Sequence, residues 1–218
     1  MNLIRNLFDN LSNKYDLMNN IISFGSHKII KKSAIKALKI RPNSKVLDLC
    51  CGTGDLGAII KEIEPTCDVV GVDFSEQMIE LARRKNPNIT YWIGNATDLK
   101  FEKNSFDYIV MGFGLRNIPE KNKAIEQIYK TLKVNGLFLH LDFGKQNKMS
   151  KIYDNIILFL AKLFTKNIKP YKYLVLTKNN FLEPEELIDL FKFNKLEYLT
   201  HKNIMFEIIS YQIMQKVH

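Results

Sequence analysis

Cysteine is scarce in this chain. Three residues in 218, two of them adjacent (Cys50, Cys51 and Cys67), cannot form a disulfide framework. They read as small buried hydrophobes of a reducing compartment. The four histidines are scattered and no Cys/His spacing resembles a zinc site, so no metal is expected. No apolar run is long enough to span a bilayer, and Met1-Asn-Leu-Ile-Arg-Asn-Leu-Phe8 carries no secretory pattern. A cytoplasmic location is the expectation. Acids are in deficit too: 23 Asp and Glu against 32 Lys and Arg leave a formal net charge of +9. The excess is mostly lysine in an Asn-rich chain. A compositionally biased genome explains it, and so does attraction to an anionic membrane or nucleic acid. There are no internal repeats and no low-complexity linker, and a chain of this length commonly forms one α/β domain.

What is present is concentrated in Lys45-Val-Leu-Asp-Leu-Cys-Cys-Gly-Thr-Gly-Asp55. Val46, Leu47 and Leu49 form the short apolar run of a buried parallel strand. Gly52 and Gly54 allow a tight turn and close backbone approach to a ligand, and Leu56 to Ile63 continues at helical spacing. Asp73 ends a second strand, Asp68-Val-Val-Gly-Val-Asp73, roughly 20 residues past the glycines, where an acid can take a ribose hydroxyl. The pattern predicts a nucleoside-bearing cofactor. A dinucleotide site needs a third glycine, whereas here Asp55 follows, and its charge at the mouth of the turn disfavours a pyrophosphate. The sulfonium and ammonium of S-adenosylmethionine suit it better. This Asp-x-x-x-Gly-x-Gly pattern with its second acid resembles motifs I and II of the class I methyltransferases, with Cys50 standing where a first glycine is usual.

Strands and helices alternate along the chain. Ser75 reads as the N-cap of a helix carrying Met78, Ile79, Leu81 and Ala82 and ending near Lys85. Strands follow at Ile89–Gly94, Phe106–Gly112 and Gly136–Phe143. A helix with Ala124, Ile125, Ile128, Tyr129 and Leu132 on its apolar face precedes the last of these. A final helix, Pro184–Phe193, leads to strands Leu196–Lys202 and Ile204–Met214. The expected fold is α/β: a single doubly wound, Rossmann-like sheet of seven strands. The expected segments are an N-terminal helical lid (1–40), a cofactor-binding core (41–143), a helical insert (144–182) and a closing helix and strand pair (183–218). Within the insert, Ile152–Phe164 is too short to span a membrane yet apolar around most of its circumference. It reads either as a buried lid helix or as a helix lining a lipid-tail channel or touching an anionic bilayer.

In such a sheet the ligand lies beyond the carboxyl ends of the strands. That location selects Asp48, Gly52, Thr53, Gly54, Asp73, Phe74, Asn95, Ala96 and Gly112 for the cofactor. Asp73 would hold the ribose diol, Phe74 pack on adenine, and Asn95-Ala96 meet the adenine amine. Asp48 would order the glycine loop or reach the methionine ammonium through water. Two further segments, Lys14-Tyr-Asp-Leu-Met-Asn-Asn-Ile-Ile-Ser-Phe-Gly-Ser-His27 and Phe113-Gly-Leu-Arg-Asn-Ile118, closely resemble the ubiquinone/menaquinone biosynthesis C-methyltransferase family. The matching residues are Tyr15, Asp16, Met18, Asn19, Ser23, Gly25 and His27, then Phe113, Gly114, Arg116 and Asn117, with a weaker echo at Tyr171-Lys-Tyr-Leu174.

The resemblance implies carbon methylation of a polyprenylated quinol, with Tyr15, Asp16, Met18, Asn19, Phe113 and Asn117 on the substrate. Ring methylation needs a nearby hydroxyl, of pKa about 10, to ionise. Arg116 would stabilise the phenolate, and His27 or Asp142 would accept the proton. The chain departs from the family at Lys133-Val-Asn-Gly136, where Lys-Pro-Gly-Gly is usual, at Asp142, where Glu is common, and in its tail. A nucleic-acid methyltransferase would carry an Asn/Asp-Pro-Pro-aromatic run after the fourth strand, which is absent, so no nucleic acid is expected. A methyltransferase for a phenol oxygen or fatty acid would not need the Tyr15 to His27 segment. A non-catalytic module would not need Gly52-Thr-Gly54, Asp73 and Arg116 together. A homodimer is compatible with the sequence.

Overall fold

The computed structural model describes Ser23, residues 25–165 and residues 168–218. Seven strands form one sheet: β1 (Lys45–Leu49), β2 (Asp68–Asp73), β3 (Thr90–Ile93), β4 (Phe106–Gly112), β5 (Leu132–Phe143), β6 (Leu196–Ile204) and β7 (Ile209–Lys216). Their order is β3-β2-β1-β4-β5-β7-β6. β1 to β5 are parallel, and β7 enters antiparallel between β5 and β6. The helices are α1 (His27–Ala37), α2 (Asp55–Ile63), α3 (Glu76–Lys85), α4 (Lys121–Thr131), α5 (Lys148–Phe164), α6 (Lys169–Asn179) and α7 (Pro184–Phe193), with a 3₁₀ turn at Leu115–Asn117.

The central strands are apolar on both faces because helices cover both, as parallel sheets require. Val46, Val69, Val110, Leu139 and Leu141 point to one core, shared with Ile35 of α1, Ile60 of α2, Ile79 of α3 and Ile157 of α5. Leu47, Leu49, Val70, Ile109 and Phe138 point to the other, against Ile125 and Ile128 of α4 and Leu187 and Phe191 of α7. Fully burying each such side chain contributes roughly 1.5–3 kcal/mol. Local signals agree: Ser75 caps α3 by accepting from Met78 N at 3.2 Å, and Glu183 and Glu186 form a capping box at α7.

The elements differ from the sequence expectation in four places. No helix joins β3 to β4: residues 94–105 cross over as irregular chain, held by an Asn95–Asp98 bridge. β5 begins at Leu132, four residues early, because Lys133-Val-Asn-Gly136 is a bulge inside the strand. There the register on β4 jumps from Phe106↔Leu132 to Tyr108↔Leu137, and Asn135 takes φ +63°. The last two strands are separated by a turn at 205–208 with three successive positive φ angles, Met205, Phe206 and Glu207. Finally, α5 buries one side only. Tyr153, Asp154, Ile157 and Ala161 face inward, whereas Ile152, Ile156, Phe159 and Leu163 are exposed.

The insert is tied together from within. Lys178 of α6 is buried and donates to Asp154 Oδ2 (3.0 Å), to Ser150 Oγ (2.6 Å) and to Asn179 Oδ1 (3.1 Å), with Asp154 Oδ1 at 2.9 Å completing the ion pair. A buried charge is tolerated only with such partners.

Gly71 in β2 is a test of the packing beneath the site. A Cβ there would lie 2.4 Å from Tyr91 Cδ1 and 3.1 Å from Cys51 Sγ. Gly71→Ala should therefore cost about 1–3 kcal/mol, seen as a lower midpoint in thermal unfolding. An unchanged midpoint would contradict this packing.

Candidate active site

The chain after β1 takes three positive φ angles in five residues: Cys50 (+58°), Gly52 (+54°) and Gly54 (+82°). A cysteine in this conformation costs about 1–2 kcal/mol relative to glycine. Its side chain is accommodated by Gly114, where a Cβ would lie 2.6 Å from that of Cys50. The turn is pinned to β2. Cys51 N donates to Val72 O at 3.0 Å. Asp73 Oδ2 accepts from Gly52 N (2.8 Å) and Asp73 Oδ1 from Ser75 N (3.0 Å). Gly54 closes the turn as the N-cap of α2, where a Cβ would meet Tyr91 Oη at 2.2 Å.

Asp48 lies behind this turn and is buried, with Oδ2 accepting from Gly57 N at 2.9 Å. Burial raises its pKa to about 7, against the pull of the Gly57 N–H and Lys31 and with the help of Asp55 and Asp73. Asp55 does not stand open at the mouth of the turn. Lys31 of α1 donates to it at 2.7 Å and His27 Nδ1 lies 3.9 Å away. Burial alone would raise Asp55, but Lys31, with Lys85 and His27, holds it below the usual carboxylate range. Its charge is compensated, so it is not the group that selects the ligand.

The ligand space is a cleft of about 950 Å³, part of it open to solvent, beyond the carboxyl ends of β1 to β4. Gly52, Asp73, Phe74, Asn95, Ala96 and Gly112 of the expected cofactor set line it, as do Phe113 and Asn117 of the expected substrate set. Asp48, Thr53 and Gly54 lie behind it. Asn95 Oδ1 is engaged by Thr97 N at 3.0 Å. Leu49, Cys50, Val72, Met78, Thr97 and Glu120 also line the cleft. Of these, Leu49 and Cys50 belong to the strand and turn singled out in the sequence and Met78 to the inner face of a predicted helix, whereas Thr97 and Glu120 carried no sequence signal. Among the described residues the wall contains no Lys, Arg or His, and its two charged side chains are Asp73 and Glu120. That fits a cationic nucleoside cofactor and not a pyrophosphate.

A second group lies behind the end of β4. Phe113 has φ +58° and hangs its N–H on Leu141 O at 2.7 Å. The following 3₁₀ turn directs Arg116 onto Asp142 at the end of β5, Nη1 to Oδ1 at 2.8 Å, with side-chain exposures of 7% and 0%. Nη1 also donates to Phe113 O. The guanidinium carbon lies 5.7 Å from the Phe113 ring and 5.1 Å from that of Phe143. Arg116 Nε and Asp142 Oδ2 are buried without a hydrogen-bond partner among the described residues. His140 Nε2 lies 3.9 Å from Asp142 Oδ2, its other nitrogen bonded to Gln212 Oε1 at 2.8 Å. Burial lowers the His140 pKa.

The structure thus brings Arg116 and Asp142 together and places His27 with a different carboxylate, Asp55. Tyr173, which the Tyr171–Leu174 echo contained without a role, donates to Asn117 Oδ1 at 3.1 Å and joins α6 to this turn. Tyr15, Asp16, Met18 and Asn19 lie outside the described residues.

A sheet of this order with its cleft beyond β1 to β4 is that of a class I S-adenosylmethionine-dependent methyltransferase. Solved structures agree. A chain of the complex between the Haloferax volcanii Trm112 methyltransferase activator and a methyltransferase superposes with TM-score 0.74 at 15% identity, covering 97% of this chain and 98% of the other. An S-adenosylmethionine-dependent methyltransferase from Thermotoga maritima gives 0.71 at 20%, covering 97% and 99%. Residues 2–216 match the ubiE/COQ5 methyltransferase family, and the chain belongs to it. The demethylmenaquinone methyltransferases of Staphylococcus aureus strains JH9 and Newman are each 38% identical over 199 residues, 87% of this chain and 83% of theirs. The protein is a methyltransferase using S-adenosylmethionine.

The raised pKa of Asp48 has a sign that can be checked. The folded protein holds this proton to higher pH than the unfolded chain does. Its contribution to stability is therefore full below the unfolded value of 3.8 and is lost as pH rises to about 7. Asp48→Asn keeps an acceptor for Gly57 N and removes the titration. Its unfolding midpoint should exceed that of the parent at pH 8, by more than at pH 5. Equal differences at both pH values would refute the shift.

Proposed function

We propose that this methyltransferase transfers the methyl group to a ring carbon of a polyprenylated quinol, with demethylmenaquinol as the first candidate and the ubiquinone precursor as the second. The observation that carries this reading is the pair of unmatched buried atoms at Arg116 and Asp142, one donor (Nε–H) and one acceptor (Oδ2). A ring hydroxyl offers one of each. Buried polar atoms call for partners, and a single substrate hydroxyl would satisfy both of these.

In this reading the cleft holds S-adenosylmethionine, which supplies an electrophilic methyl group. Asp73 would take the ribose hydroxyls, Phe74 would pack on the adenine, and Asn95-Ala96 would meet its amine. Asp48, Thr53 and Gly54 keep the loop in shape. Asp142 Oδ2 accepts the hydroxyl proton, and Arg116 Nε stabilises the phenolate left behind. Asp142 is preferred to His27 as acceptor because it lies on Arg116, whereas His27 Nδ1 lies 3.9 Å from Asp55. The activated ring carbon would take the methyl group, the proton on that carbon would pass to water as the ring rearomatises, and the phenolate would regain its proton from Asp142, restoring the Arg116–Asp142 pair. Phe113 and Asn117 position the ring, and Tyr15, Asp16, Met18 and Asn19 belong to the substrate-binding set of the same reading, within a single domain of residues 1–218. A peripheral contact with the membrane that carries such quinols belongs to the same reading.

The test is methyl transfer from labelled S-adenosylmethionine to demethylmenaquinol and to a prenylated methoxybenzoquinol. Arg116→Ala should lower kcat/KM by about 10²–10³ and stability by about 3–5 kcal/mol, because Asp142 stays buried and unpaired. Adding Asp142→Asn should restore most of the stability and none of the turnover. Turnover surviving Arg116→Ala would remove this residue from the mechanism, and methylation of neither quinol would remove the substrate.

A further inference from the structure

We infer that α5 is a membrane-docking helix that lays its outer face on an anionic bilayer. The inference rests on the quinol reading only in supplying a reason for the contact. Met149, Ile152, Ile156, Phe159 and Leu163 recur at spacings of 3 and 4, so they form one stripe along the helix. All are substantially exposed, Phe159 and Leu163 at 65% and 64%. The opposite face is the one sunk in the core through Tyr153, Ile157 and Ala161, so turning the helix to bury the stripe would expose that face instead.

Charge along this helix has one sign. Lys148, Lys151 and Lys162 are exposed, and at 100° per residue they form an edge adjoining the apolar stripe. The one acid in α5, Asp154, is turned inward and held by Lys178. An apolar stripe bordered by lysines, on a helix too short to cross, is the pattern of a helix lying in the membrane interface. No helix among the described residues is long and apolar enough to cross a membrane. Self-association through the same stripe would set lysine edges together with no acid on the helix to answer them, whereas anionic headgroups supply the counter-charge. The β6–β7 turn lies beside the start of α5, where Asn147 Nδ2 donates to Phe206 O at 3.1 Å, and contributes a further exposed ring.

The experiment is co-sedimentation of the full chain with vesicles of phosphatidylcholine alone or mixed with phosphatidylglycerol. The parent protein should partition onto the anionic vesicles and be released by salt. Phe159→Ser/Leu163→Ser and Lys148→Glu/Lys151→Glu/Lys162→Glu should each reduce partitioning at least roughly tenfold, given about 1 kcal/mol per surface lysine and more for buried apolar rings. Both variants should bind S-adenosylmethionine as the parent does. Parent protein that ignores anionic vesicles would overturn the inference, as would variants that bind them undiminished. A parent dimer that the Phe159→Ser/Leu163→Ser variant dissociates, with vesicle binding intact, would reassign the face to a second copy. Vesicle binding without turnover of any quinol would leave the docking face standing and defeat the substrate reading alone.

Discussion

The carboxylate of Asp73 crosses from the end of β2 to the turn that follows β1, and the cleft takes its shape from that crossing. One oxygen receives Gly52 N and the other receives Ser75 N. The same side chain therefore ties down the glycine turn and the start of α3. The turn runs through positive φ at Cys50, Gly52 and Gly54, a conformation held by its surroundings rather than by local preference. With the turn held, the carboxyl ends of β1, β2 and β4 border a cavity that has no basic side chain in its wall among the described residues. A cofactor carrying positive charge and no phosphate matches that wall.

Behind the cleft, Arg116 and Asp142 form a buried pair of opposite charges, and its nearly complete burial makes it more than a surface ion pair. Two aromatic rings and the backbone of Phe113 fix the guanidinium. Each partner retains one unmatched polar atom. The pair is neutral as a unit, so in the proposed reaction a proton passed to Asp142 would leave Arg116 to balance the new negative charge on the quinol oxygen. The Tyr173–Asn117 bond connects the same turn to the helical insert.

The insert carries two unlike duties on one helix. Its inner face is fastened by the Lys178–Asp154–Ser150 cluster, a polar contact inside an apolar surround. Its outer face keeps large apolar side chains in solvent beside lysines. A single periodicity cannot separate these faces, because both are apolar in sequence. That is why Ile152–Phe164 reads as uniformly apolar along the chain.

Short-range signals were sufficient wherever the structure is made by neighbours in sequence. Apolar runs marked β1, β2 and β4, Ser75 marked the cap of α3, and paired glycines marked the loop. The spacing from Gly52 to Asp73 pointed to the class of enzyme, and the Phe113–Asn117 segment to its family. Tertiary structure decided whatever depends on groups far apart along the chain. Asp55 looked like a free charge and is answered by Lys31, 24 residues away. Lys133-Val-Asn-Gly136 led into the expected strand and is a bulge within the observed one, because β4 pairs with the chain on both sides of it. His27 and Asp142 looked like alternative bases for one hydroxyl, yet they sit against different partners, Asp55 and Arg116. The sequence by itself determined which strands and turns could form. Which charges end up paired, and which faces of a helix meet the core, was decided only by folding, since both depend on partners that local periodicity does not encode.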